Sequence, residues 1–133
     1  MTFVGTVSDA IRDHGGWKQR FRISVLAHHS DLPVEIVCQD NRCAFGHWLY
    51  SLDEHEKATP RWNCVRSAHA DFHREAARIL GLALECKQDE ALAALRFPSK
   101  FSGLSAQLGK ELDTWKRELM REARTQPAGA AAQ

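Results

Sequence analysis

Val4, Val7, Ile11, Trp17, Phe21 and Val25 recur three, four or six residues apart, winding one apolar stripe along a helix from about Val4 to Ala27. His14 falls on that stripe. Glycine inside a helix costs roughly 1 kcal/mol relative to alanine, so Gly15-Gly16 is expected to serve close backbone packing beside His14. From His28 to Arg42 the pattern breaks, with Pro33 and then Asp40-Asn41 as turn and cap signals, and a long connection is expected there. Cys43 to Leu52 is short and apolar, between Asp40 and the charged stretch Asp53 to Lys57. It suits a helix of about two or three turns whose first turn carries Cys43.

Thr59-Pro60 is a strong helix start, a capping hydroxyl followed by the residue best tolerated at the first helical position. Beyond it Trp62, Val65, His69, Phe72, His73, Ala76, Leu80 and Leu84 trace one face of a helix running to about Lys87. Asp89 is placed to cap a last helical region, in which Leu92, Leu95, Phe101, Leu104, Leu108, Leu112, Trp115 and Leu119 keep their phase to about Arg124. Pro98 interrupts it, as a kink in one helix or as a break between two. The expected fold is all-α. It is a helical bundle of three long helices plus one short helix bearing Cys43, over residues 1–124, followed by a frayed tail over 125–133.

A chain of 133 residues with 44% apolar and 26% charged residues fits one globular domain. Eighteen basic residues against seventeen acidic ones leave a net charge of +1, which argues against nucleic acid as a partner. No apolar run is long enough for a membrane span, and Met1 to Ile11 lacks the basic start and apolar run of a signal peptide. A cytoplasmic protein is expected. Its four cysteines, Cys38, Cys43, Cys64 and Cys86, then point to metal or redox chemistry rather than disulfides, although none forms a Cys-x-x-Cys pair.

His69 and His73 are four apart, so both imidazoles project from one helix face and can reach one ion. Spacing alone does not separate such a pair from buried histidines that merely hydrogen-bond. His14, on its own apolar stripe, and Cys43 complete a set of three imidazoles and one thiolate, enough for a closed tetrahedral zinc site. His47 lies four residues after Cys43 and could face the same way. His28, His29 and His55 fall in polar connections and read as solvated. Cys64 and Cys86 read as small packing residues of the third helix, and Cys38 as a loop cysteine that could act as a resolving thiol. Trp17, Trp48, Phe72 and Trp115 read as core that would also keep water from a metal, and Gly46 as a place where another helix comes close.

Three segments, His14-Gly-Gly-Trp17-Lys18, Cys43-Ala-Phe45-Gly46-His-Trp48 and His69-Ala-Asp-Phe72-His73, together resemble the chemoreceptor zinc-binding domain, or CZB, over about Thr6 to Ala123. The resemblance implies a helical bundle, often a homodimer, with zinc inside each protomer on His14, Cys43, His69 and His73. It assigns no metal role to His47, which stands where lysine is frequent in the family. It also implies regulation: such domains are attached to chemoreceptors or to enzymes making cyclic di-GMP, and zinc or oxidation at the cysteine changes their output.

Four protein ligands leave zinc no open position for water, which argues against a hydrolase. The chain also lacks a glycine-rich phosphate loop, a Gly-x-Ser-x-Gly elbow and a His-Glu-x-x-His motif. The expectation is a non-enzymatic zinc-binding regulatory domain with Cys43 as a zinc- or oxidant-responsive switch. Its partners would be zinc, a second copy through the Trp115 helix unless the core uses that stripe, and a chemoreceptor or diguanylate cyclase. Two alternatives stay open: a structural or adaptor bundle with idle histidines, and a metal-dependent hydrolase in which Cys43 gives way to water or substrate.

Overall fold

The computed structural model describes residues 3–27, 34–41 and 43–125. Its helices are α1 (Phe3–Ala27), α2 (Val34–Val37), α3 (Ala44–Ser51), α4 (Glu54–Lys57), α5 (Pro60–Leu84), α6 (Gln88–Leu95) and α7 (Lys100–Thr125). Among the described residues there is no strand, so the fold is an all-helical bundle. The expected tail, Thr125 excepted, and His28 and His29 lie outside the described residues.

The starts of the long helices follow from local chemistry. Thr59 Oγ1 accepts the Trp62 amide at 3.1 Å, and Pro60 occupies the first position of α5, where its missing N–H is not needed. Ser99 Oγ accepts the Ser102 amide while Ser102 Oγ accepts the Ser99 amide at 2.8 Å, a reciprocal cap that starts α7 afresh. That restart, together with the donor missing at Pro98, divides the last apolar pattern into α6 and α7 rather than kinking one helix. Lys87, not Asp89, is the cap residue of α6; Asp89 lies in its first turn, where its charge suits the helix dipole.

Helix α5 ends at Leu84, three residues short of the end expected near Lys87. Lys87 N donates to Leu82 O and Cys86 N to Ala83 O, with Cys86 in the left-handed conformation at φ 64°. This is a Schellman closure with cysteine in the place glycine favours. Leu84, next to that closure, is exposed. Cys64 and Cys86 are exposed as well, so neither is the packing residue expected of it.

Aromatic side chains set the helix directions. Phe21 of α1 stacks on Phe101 of α7, while Phe3 meets Trp48, which meets Trp115 near the other end of α7. Phe72 of α5 meets Phe101, and the Arg61 guanidinium pairs with Glu118 at 2.9 Å. Both α1 and α5 therefore run antiparallel to α7. Helix α6 packs against α1 and α5, and α2 lies across α5. Phe72, Leu80, Leu108 and Leu112 fill the centre, each almost wholly buried. Trp115 is buried too, so the stripe considered for a subunit contact is occupied within the chain. Trp17 and Trp48 are half-buried against this core.

No helix among the described residues is long and apolar enough to cross a membrane.

Candidate metal centre

Helix α5 passes through the core, so the side chains on its inner face are held from several sides. His69 and His73 lie on that face and are buried, packed edge-on against each other with ring centres 4.5 Å apart. Phe45 caps the His69 ring at 5.2 Å, and Trp17 tilts over His73 at 5.8 Å. Their Nε2 atoms are 3.1 Å apart.

Cys43 is the residue immediately before α3 rather than a member of its first turn. Extended at φ −80° and ψ 163°, it accepts the Gly46 amide on Sγ at 3.3 Å, as a capping side chain does. The same Sγ lies 3.3 Å from His69 Nε2 and 3.7 Å from His73 Nε2. Zinc–nitrogen bonds of about 2.05 Å and zinc–sulfur bonds of about 2.3 Å at tetrahedral angles would separate donors by about 3.3 Å for two nitrogens and about 3.6 Å for nitrogen and sulfur. The three observed separations match such edges. These atoms all lie within 4.8 Å of one another and could hold one metal ion.

The surroundings aim the lone pairs at that point. His73 Nδ1–H donates to the Val37 carbonyl at 2.9 Å, which leaves Nε2 unprotonated and free to ligate. Val37 ends α2, where a carbonyl lacks its intrahelical partner, and the imidazole supplies one. His69 Nδ1 is buried with no hydrogen-bond partner in the described structure. Burial, and then the neighbouring His73, push the His69 pKa down to about 3; burial likewise lowers His73, against the Val37 carbonyl and Asp40. Neutral imidazoles are the form a metal needs. Burial raises the Cys43 thiol, opposed by the Gly46 and Phe45 amides, so without a cation the sulfur keeps its proton more firmly than an exposed thiol.

His14 occupies a different position. It lines the same open cleft of about 430 Å³ as Cys43, His69 and His73, yet its Nε2 meets Ser105 Oγ of α7 at 3.0 Å. Its ring packs edge-on against Phe72 at 4.6 Å. Burial first, then the charges of Lys18 and His73, lower its pKa to about 4 despite the Ser105 bond. The structure thus gathers three of the four expected donors and sets the fourth in the cleft wall.

The remaining sequence candidates separate cleanly. His47 and His55 are exposed, as is Cys38. Gly46 is required for closeness, but to a loop rather than a helix: a Cβ there would lie 1.7 Å from the Asp40 carbonyl oxygen. The Asp40 carboxylate in turn accepts the Tyr50 hydroxyl at 2.7 Å, which clamps the loop on α3. Gly15 has open space where a Cβ would be and Gly16 meets only the Arg20 guanidinium, so neither serves the close backbone packing expected beside His14. Val37, Asp40 and Ser105 were not legible as site residues. Val37 acts through a backbone carbonyl, and Ser105 is one of several serines near α7 with no distinguishing spacing.

The family model of the chemoreceptor zinc-binding domain matches residues 14–80, just over half of the chain and the span that holds all three motifs. No curated protein matches the chain, and no solved structure does.

Proposed function

The chain belongs to the chemoreceptor zinc-binding domain family, and we propose that it is a regulatory domain holding one zinc ion on His14, Cys43, His69 and His73. The observation that carries this reading is the convergence of Cys43 Sγ with two Nε2 atoms, one of them braced from behind by the Val37 carbonyl. Three donors facing one another at the wall of the cleft, the two imidazoles buried, are poorly satisfied without a shared cation. His14 reaches the fourth position by exchanging Ser105 for the ion, a movement within the cleft it already lines.

Bound zinc would supply a fixed positive charge that keeps Cys43 as thiolate and ties α1, α3 and α5 together. With four protein ligands it has no open position, so the domain is regulatory rather than catalytic. Cys43 is the switch. Hydrogen peroxide attacked by the Cys43 thiolate would give a sulfenic acid, the S–O bond forming as the O–O bond breaks and hydroxide leaves. The weakened ligand then releases zinc and loosens the cap of α3. The output passes to a second copy or to a chemoreceptor or diguanylate cyclase in the cytoplasm.

Metal analysis and thermal denaturation of protein purified without chelator test the reading. One equivalent of zinc is expected, with a melting temperature that drops on chelation; zinc-free protein that gains no stability from added zinc would leave an adaptor bundle with idle histidines. The three-donor cluster, with His14 on Ser105, also fits a zinc site with one open position. His14→Ala separates the two: weaker zinc retention is expected for the four-ligand site, whereas unchanged retention accompanied by hydrolytic activity points to the open site.

A further inference from the structure

His14 and Leu112 line a second opening besides the metal-ligand cleft, a groove of about 990 Å³ between α1 and the α6–α7 corner. Its charged lining is of one sign. Lys18 and Arg22 come from α1, Arg96 follows α6, and among the described residues no carboxylate lines the groove, although the whole chain carries only +1. Lys18 and Arg22 are four apart on one helix face, where like charges repel. Among the described residues none of these three cations takes part in an ion pair.

The rest of the lining is mostly apolar, with Gln19, Ser102 and Ser105 among it. Ile11, Leu95 and Phe101 face the groove, and Phe97, 82% exposed, forms its lip. Gly15 and Gly109 lie on its two walls, and a Cβ at either would meet nothing within 4 Å. Their lack of side chains keeps the walls apart, since larger residues would fill the space. Two guanidinium groups and one ammonium beside apolar side chains, in a concavity of ligand size, suit an amphipathic anion.

We propose that this groove binds a small molecule with an apolar body ending in a carboxylate or phosphate. The body lies on Ile11, Leu95 and Phe101, and the anionic head is held by Lys18, Arg22 and Arg96. The groove shares His14 and Ser105 with the proposed zinc site, but none of the residues placed on the ligand is a proposed metal ligand.

Octanoate, octyl phosphate and octanol, each below its micelle concentration, are titrated into the isotope-labelled full chain and followed by amide chemical shifts and calorimetry. Saturable binding of either anion is expected, shifting amides of residues 15–22 and 102–109, with octanol at least about tenfold weaker. Whichever anion binds tighter identifies the head group. Lys18→Gln/Arg22→Gln/Arg96→Gln is expected to lose at least about tenfold in affinity with an unchanged helical spectrum. Gly15→Leu/Gly109→Leu fills the groove and is expected to abolish binding. It serves as the check should the triple variant fold poorly. The proposal is overturned if octanol binds as well as the anions, if both sets of variants bind like the parent, or if sedimentation shows a second copy seated in the groove.

Discussion

The metal cleft is walled by two regions of different construction. On one side α5 presents His69 and His73 from the middle of the core, their rings fixed by Phe45, Trp17 and each other. On the other, Cys43 stands at the end of a loop fastened by polar contacts, the Tyr50–Asp40 bond and the Asp40 carbonyl against Gly46. His14 is held in the wall by one hydroxyl and the edge of Phe72. Ligands in packed cores keep their geometry without metal, because close packing leaves few alternative rotamers. Ligands held by loops and single hydrogen bonds can leave, since each such bond is worth only about 1 kcal/mol. In the proposed site the histidine pair is therefore the fixed seat, and Cys43 and His14 would be the movable parts.

Breaking the fixed side should cost most. Phe72 is 2% exposed and touches His14, Trp17, His73 and Phe101. Phe72→Ala is expected to lower stability by about 4 kcal/mol, read from denaturant midpoints, in metal-free and zinc-loaded protein alike. Equal stability of the variant would show that the α5 side is not the packed one.

Breaking the loop side should cost less and depend on metal. In Gly46→Ala the added carbon displaces Asp40, at about 2 kcal/mol in metal-free protein, and the larger effect is expected on zinc affinity measured against a competing chelator. Gly81→Ala is the matched control, because a Cβ there meets nothing within 4 Å. If both substitutions act alike, the loop is not what positions Cys43.

Acid sharpens the same contrast. The His14 and His69 pKa values lie at about 4 and about 3, below the usual 6.5. The unfolded chain therefore binds more protons than the folded one between those values and 6.5. Their stability contribution is full above pH 6.5 and is lost on acidification through that window, at up to about 1.4 kcal/mol per pH unit for each group. Metal-free melting curves between pH 8 and pH 4 check this; a flat profile would mean that the imidazoles are not desolvated. The smallest effect is expected from Ser105→Ala. Freeing His14 from its hydroxyl should tighten zinc binding severalfold, about 1 kcal/mol, whereas weaker binding would make Ser105 an orienting partner rather than a competitor.

Much of this architecture was legible along the chain. The apolar phases marked α1, α5 and α7 because burial selects residues at helical spacing, and Thr59-Pro60 fixed the start of α5 through backbone chemistry that is local. The pairing of His69 with His73 is likewise local, since four residues bring two side chains to one face. Local signals were weaker at the ends. The phase runs unbroken through Pro98, the helix through His73 is expected to continue to about Lys87, and neither reading registers the Ser99–Ser102 cap or the turn at Cys86.

By itself, then, the sequence determined the long helices α1, α5 and α7 and the short α3, but not α2 or α4, together with the inner face that carries the two histidines and the ordered motifs that place the chain in its family. Only the tertiary structure decided that Val37 braces His73, that Gly46 makes room for the Asp40 carbonyl, and that His14 rests on Ser105. The first and last join residues far apart in the chain and the second spans a loop of six, each through a backbone carbonyl or a lone hydroxyl. Such groups occur all along the polypeptide and leave no periodicity. What distinguishes one of them is the neighbour that folding brings beside it.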